Sequence, residues 1–144
     1  MKTYNLDFNG FCLDYRKNTA LPQDAGIYCV YSCKYNKDKN TVGNLTLLYI
    51  GESENINERH KDNAHEHYED FLSYLDEGKT LCYSYTLIGN EEDRKRCEAA
   101  LIYKMQPPIN TKCKDSFDYQ TTKIVTSGKN SKLCNSFILL ERKE

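Results

Sequence analysis

Two short apolar stretches constrain this chain most: GIYCVYSC at 26–33 and LTLLYIG at 45–51. Both are dominated by Ile, Tyr, Val and Leu, the residues that favour a pleated, half-buried surface. Between them lies KYNKDKNTVGN, a polar linker at 34–44. Two strand-like runs joined by such a loop predict a long hairpin. Side-chain alternation puts Tyr28 and Val30 on one face, and Ile27, Cys29 and Tyr31 on the other. The same parity puts Tyr49 on the face of Leu47. Pro22 and Asp24 mark a boundary just before the hairpin.

The rest of the chain reads as short elements. Ser53 opens a helix candidate, SENINERHKDNAHEH, with Ile56 as its main apolar anchor. HYEDFLSYLDEG at 67–78 has Phe71, Leu72 and Leu75 at helical spacing and ends at Gly78. These are two short helices, or one broken near 63–66. TLCYSYTLIG at 80–89 is a third strand. Asn90 is an N-cap candidate for the helix EEDRKRCEAALIYKM, whose first turn is acidic as the helix dipole prefers. Gln106, Pro107 and Pro108 end it. TTKIVTS and NSFILLE then suggest a further strand pair. The order predicts an α+β fold: a small three-stranded antiparallel sheet flanked by helices. It divides into an N-terminal extension (1–24), a central domain (25–113), and a C-terminal extension (114–144) whose strand pair packs on the same domain.

Composition narrows the function by exclusion. The chain has 144 residues, 39% hydrophobic and 28% charged, with a formal net charge of −1. That is a single soluble globular domain with a real core. The N-terminus MKTYNLDFNG lacks the apolar region of a secretory signal, and no long apolar run predicts a membrane span. Seven cysteines occur without a CxxC pair, which suits free thiols in a reducing cytoplasm better than a zinc site or a disulfide framework. A neutral chain does not advertise nucleic-acid binding, so any phosphate-binding surface must be local.

Several residues have both a chemical and an ordinary reading. Glu98 lies on the face of Ile102 and Met105, where a carboxylate is pushed towards apolar surroundings. It is either a helix ion-pair partner of Arg94 at i−4 or a lone metal carboxylate, of the kind Mg²⁺ uses when it keeps its waters. Arg59 is either a solvated helix residue or a planar phosphate fork. His60, His65 and His67 are equally open, and the HEH spacing at 65–67 does not match a helical zinc motif. Tyr28 and Tyr49 are either a cross-strand aromatic pair or two hydroxyls converging on one patch. A tyrosine hydroxyl needs a nearby cation to serve as a base.

Taken together, Gly26-Ile27-Tyr28, Tyr49-Ile50-Gly51, Arg59, Glu98 and Asn110 resemble the GIY-YIG nuclease superfamily. The resemblance covers residues 25 to about 113. It implies a divalent-metal-dependent endonuclease that hydrolyses DNA phosphodiester bonds. Glu98 would hold Mg²⁺ or Mn²⁺, Arg59 would stabilise the transition state, Tyr28 and Tyr49 would handle the attacking water, and Asn110 would hold local structure or a water. Three positions depart from the pattern: the tripeptides are 20 residues apart rather than about ten, Glu52 stands where many relatives have lysine, and Asn63 stands where some have histidine or tyrosine. The resemblance leaves three classes open: a restriction or homing enzyme, a structure-specific repair or recombination nuclease, and a catalytically weakened DNA-binding module. Lys34, Lys37, Lys39, His60, Lys112 and Lys114 are the candidate DNA contacts, and the sequence leaves a homodimer open. Residues 112–144 carry seven basic against four acidic side chains.

Overall fold

The computed structural model describes residues 1–142. Its centre is a six-stranded mixed sheet in the order β3-β2-β4-β1-β5-β6. The strands are β1 Lys2–Leu13, β2 Gly26–Asn36, β3 Thr41–Ser53, β4 Thr80–Leu87, β5 Thr122–Gly128 and β6 Ser136–Leu139. The expected hairpin is β2–β3, the third expected strand is β4, and the expected C-terminal strand pair is β5–β6. The expectation of three antiparallel strands is too small. Tyr4, Leu6 and Phe8 alternate inward with polar residues between them, so the N-terminal segment forms β1 in the middle of the sheet. It runs antiparallel to β4 and parallel to β5. Lys143 and Glu144, counted in the tail's charge, lie outside the described residues.

The sheet is covered on both faces. On one, α4 (Glu91–Met105) packs Cys97, Ala100 and Leu101 against Ile27, Cys29, Tyr31 and Ile50. The Asn90 carboxamide caps α4 by accepting from the Asp93 N–H at 2.9 Å. Gln106 closes the helix in the left-handed conformation before the two prolines. On the other face, Tyr28, Val30, Leu48, Ile56, Phe71, Leu81 and Tyr83 form a second core. It is roofed by three short helices: α1 (Lys17–Ala20), α2 (Ile56–His60) and α3 (Tyr68–Ser73).

Two local expectations are corrected here. Leu47 and Tyr49 do not share a face: Val30 pairs with Tyr49 and Tyr31 with Leu47, leaving Leu48 as a bulge that inverts the alternation. Tyr49 therefore joins Tyr28, while Leu47 joins the α4 side. The helix expected from Ser53 begins only at Ile56, capped by Asn55, whose side chain accepts from the Glu58 N–H at 3.1 Å. It stops at His60 because Asp62 and Asn63 turn left-handed. Asn18 grips Asp62 through both side chain and backbone, and Lys17 donates to the Asn63 carboxamide at 2.7 Å. Among the described residues, no helix is long and apolar enough to cross a membrane.

Candidate active site

The glycines of the two tripeptides are steric requirements. Gly51 lies opposite Tyr28. A Cβ on Gly51 would stand 2.4 Å from the Tyr28 ring and hydroxyl, so the phenol lies across bare backbone. A Cβ on Gly26 would stand 2.2 Å from the Thr86 carbonyl oxygen of β4. Each glycine thus lets a neighbour approach closer than any side chain permits.

This places Tyr28 and Tyr49 side by side, their rings stacked with centroids 6.3 Å apart. Tyr28 is buried and Tyr49 half-buried. Burial drives both hydroxyls up, Tyr49 to about 12 and Tyr28 above the usual tyrosine range, so both are neutral phenols at rest. Arg59, at the end of α2, lies close enough for its charge to act on the Tyr28 hydroxyl, and it donates through Nη2 to Glu66 Oε1 at 2.8 Å. Burial works against its charge, but Tyr28 and Glu66 outweigh it and hold Arg59 above its ordinary value.

Glu98 reaches this cluster from α4. The Glu52 backbone lies close enough to favour its charged form, and its charge is felt at both tyrosines. The expected ion pair with Arg94 is absent. Arg94 is buried and donates instead through Nε to Glu52 Oε2 at 2.6 Å. Glu98 makes no ion pair among the described residues, while burial and then the Glu52 charge raise its pKa to about 7. The arrangement also resolves the oddity of an acid after the second tripeptide: Glu52 is the counter-ion that a buried arginine requires.

Asn110 holds the outer strand. Its Oδ1 accepts from Ile50 N–H at 3.0 Å and its Nδ2 donates to Ile50 O at 2.8 Å. With Ile109 N–H donating to Leu48 O at 3.1 Å, this pins the segment carrying Tyr49 and Gly51. Of Asn110's two expected roles, this geometry is the local structural one.

The histidines separate sharply. His60, expected as a DNA contact, is 1% exposed and packed edge-on to Tyr28 and Tyr83 at 4.4 and 4.9 Å. It cannot reach a phosphate, and neither ring nitrogen has a partner. His65 contacts the Tyr28 hydroxyl through Nε2 at 2.7 Å. His67 lies beside the Tyr49 ring and pairs with Asp70 at 2.9 Å. Sequence spacing gave no means of choosing His65. It lies six residues beyond Arg59, and the left-handed turn at Asp62 and Asn63 resets the helical phase between them.

The lysines lie farther out than expected. Lys37 and Lys39 are in the hairpin tip, beyond the end of β2, whereas Tyr28 is near its start. Nine residues of strand, at about 3.3 Å each, separate Lys37 from Tyr28 by about 30 Å. Lys114 is turned inward and donates to Pro107 O at 2.7 Å, bracing the loop before Asn110's successor residues. Lys112 is exposed and lies two residues past Asn110.

Among the described residues, no group of three or more His, Cys, Asp or Glu side chains converges to cage a metal ion. A single carboxylate that leaves the remaining positions to water is a donor set Mg²⁺ accepts, and the unpaired, half-buried Glu98 fits it.

No family model matches this chain, and no curated protein matches it. Among solved structures it is similar to the GIY-YIG N-terminal endonuclease domain of UvrC from Thermotoga maritima, in three crystal structures of point mutants bound to the catalytic divalent cation. One has 22% identity and a TM-score of 0.46, covering 69% of this chain and 96% of the other. A second has 20% identity and a TM-score of 0.43, with the same coverage.

Proposed function

We propose that this protein hydrolyses DNA phosphodiester bonds with a divalent metal ion held at Glu98. The observation that carries the reading is one convergence: an unpaired carboxylate, an arginine fork and two stacked tyrosine hydroxyls within a single electrostatic neighbourhood. Mg²⁺ or Mn²⁺, when bound, would polarise the scissile phosphate and stabilise charge on the leaving oxygen.

The chain's own groups do the rest. Arg59 offers paired N–H donors to the non-bridging phosphate oxygens, where charge grows in the transition state. Tyr49, the more exposed phenol, orients the attacking water. Tyr28 accepts a proton from that water after its own phenolic proton has gone to solvent. The water oxygen bonds to phosphorus, the P–O3′ bond breaks, and the 3′-oxygen takes a proton from solvent. The products are a 5′-phosphate and a 3′-hydroxyl. Asn110 keeps Tyr49 in place by holding Ile50 on both sides.

Of the classes open from the sequence, we favour an endonuclease acting on linear duplex, as restriction and homing enzymes do. The long hairpin supports this choice. Lys34 would meet backbone phosphates about six base pairs from the cut and Lys37 and Lys39, at the hairpin tip, about nine, since duplex DNA rises about 3.4 Å per base pair. The weakened-module reading rests on the acid at Glu52 and on the neutral overall charge; the first of these is matched by Arg94, and the cleavage panel decides the rest.

The test is a cleavage panel on plasmid, linear and branched DNA with Mg²⁺, Mn²⁺ or chelator. Nicking should require metal, and Glu98→Gln should abolish it while the protein stays folded. Undiminished turnover by that variant would remove Glu98 from the reaction. Preferential cutting of branched substrates would transfer the protein to the repair class.

A further inference from the structure

His65 is buried, 3% exposed, and both ring nitrogens are engaged. Its Nδ1 faces the His67 backbone N–H at 3.0 Å. A peptide N–H can only donate, so Nδ1 must be the lone-pair nitrogen. Burial, followed by the charge of Arg59, depresses the ring to about 3, so it is neutral under ordinary conditions. A neutral imidazole carries one proton, which therefore sits on Nε2. That nitrogen is the one 2.7 Å from the Tyr28 hydroxyl. The surrounding rings leave little freedom to flip: His60 stacks on His65 at 5.1 Å, and Tyr49 and Phe71 close the other sides at 5.2 and 5.0 Å.

We infer that His65 is a positioning residue locked as a hydrogen-bond donor to Tyr28, and that the peptide of His67 is the lock. The tripeptide His65-Glu66-His67 thus lines one side of the site: His65 aims a proton at Tyr28, Glu66 pairs with Arg59 at the exposed edge, and the His67 backbone fixes the tautomer. This has a chemical consequence. An Nε2 that already bears hydrogen cannot take the phenolic proton of Tyr28, so that proton does not leave through His65. His65 then donates to the phenolate oxygen while the nearby Arg59 charge favours it, and a phenolate so supported costs less to form in a dry pocket. His65 and Tyr28 do not form a base relay of the serine–histidine kind, in which the imidazole receives the proton.

The inference rests on the proposed hydrolysis for its consequence but not for its geometry, and the experiment separates the two. In ¹⁵N-labelled protein, NMR of the His65 ring should show a neutral Nε2–H tautomer that does not titrate between pH 5 and 8. An Nδ1–H tautomer, or titration within that range, overturns the lock. For the consequence, cleavage by His65→Gln is compared with His65→Leu. Glutamine reaches to about the same depth with an amide N–H donor but cannot act as a base. It should keep activity within about tenfold of the wild type, whereas leucine should lose about 100-fold, the lower end of what removing one preorganised hydrogen-bond donor costs. Circular dichroism checks that both variants fold. Equal losses in two folded variants overturn the donor role. A wild type that never cuts DNA but shows the locked Nε2–H tautomer would refute hydrolysis and uphold the lock.

Discussion

Two arginine–glutamate pairs flank one pocket, which Glu52 and Arg59 both line, and their difference explains how the site is divided. Arg94 and Glu52 meet at 2.6 Å with side-chain exposures of 2% and 19%. Arg59 and Glu66 meet at 2.8 Å with exposures of 34% and 63%. The chemistry is the same and the surroundings are not. A buried guanidinium without its partner is an uncompensated charge, so the first pair is permanent and leaves Glu98 free of a cation. The second pair is screened by water and can exchange its carboxylate for another anion. One arginine supports the fold, and the other can meet a different anion, as the proposed function requires.

The largest expected effect breaks that division directly. Glu52→Ala should destabilise the protein by about 3–5 kcal/mol, the cost of leaving a buried charge unpaired. Arg59→Ala should move stability by no more than about 1 kcal/mol. In a cleavage assay the order reverses. Arg59→Ala should lose roughly 100- to 1000-fold in kcat, as other preorganised donors to a developing charge do. Denaturant titration beside single-turnover kinetics provides both readouts. Similar stability losses in the two variants would erase the distinction.

The two regions should also differ in acid. The Arg59 side contains two buried imidazoles, His60 held at about 2 and His65 at about 3, each by burial first. Both pKa values lie below the unfolded value of 6.5, so between about 6.5 and 3 the unfolded chain binds more protons than the folded one. Stability is therefore full above about pH 6.5 and falls as acid is added. His60→Phe removes one of these groups along with its two unpartnered nitrogens. It should flatten the acid limb of a stability-against-pH curve by about one proton, without the same change in Glu52→Ala. An unchanged slope would show that His60 is protonated or solvated in the folded protein.

How far the sequence revealed this division depends on what kind of signal each part leaves. The hairpin, α4 and its caps, and the β5–β6 pair follow from local alternation and capping chemistry, which a sequence displays. Tyr28, Tyr49, Arg59, Glu98 and Asn110 were singled out by motif spacing. What spacing could not show was partner choice. Arg94 and Glu98 sit at i, i+4, an ordinary helix pair on paper, but Arg94 turns to Glu52, 42 residues earlier in the chain. The place of β1 in the sheet was hidden similarly, because its partners are up to 120 residues away. The parity of Tyr49 depended on one bulged residue, and the role of His65 on two left-handed residues held by Asn18 and Lys17. Each miss is a tertiary contact that overrides a local rule.

The smallest effect sharpens the comparison most closely, because it acts on the exchangeable pair alone. If Glu66 is a resident counter-ion, a substrate phosphate must displace it from Arg59 Nη2 before the fork can close. Glu66→Gln keeps the shape and a hydrogen-bonding carbonyl but removes the competing charge. An exposed pair contributes about 0.2–1 kcal/mol, so losing it should tighten DNA binding by about 1.4- to 5-fold. Stability should hardly change, and turnover of bound DNA should stay level because Tyr28, Tyr49 and Glu98 are untouched. The measurement is DNA affinity in the Glu98→Gln background, where binding is not followed by cleavage. The gain should shrink as salt rises, since salt screens the competing carboxylate and the phosphate alike. Weaker binding in Glu66→Gln would mean that Glu66 holds Arg59 in its working position, making the second pair as structural as the first.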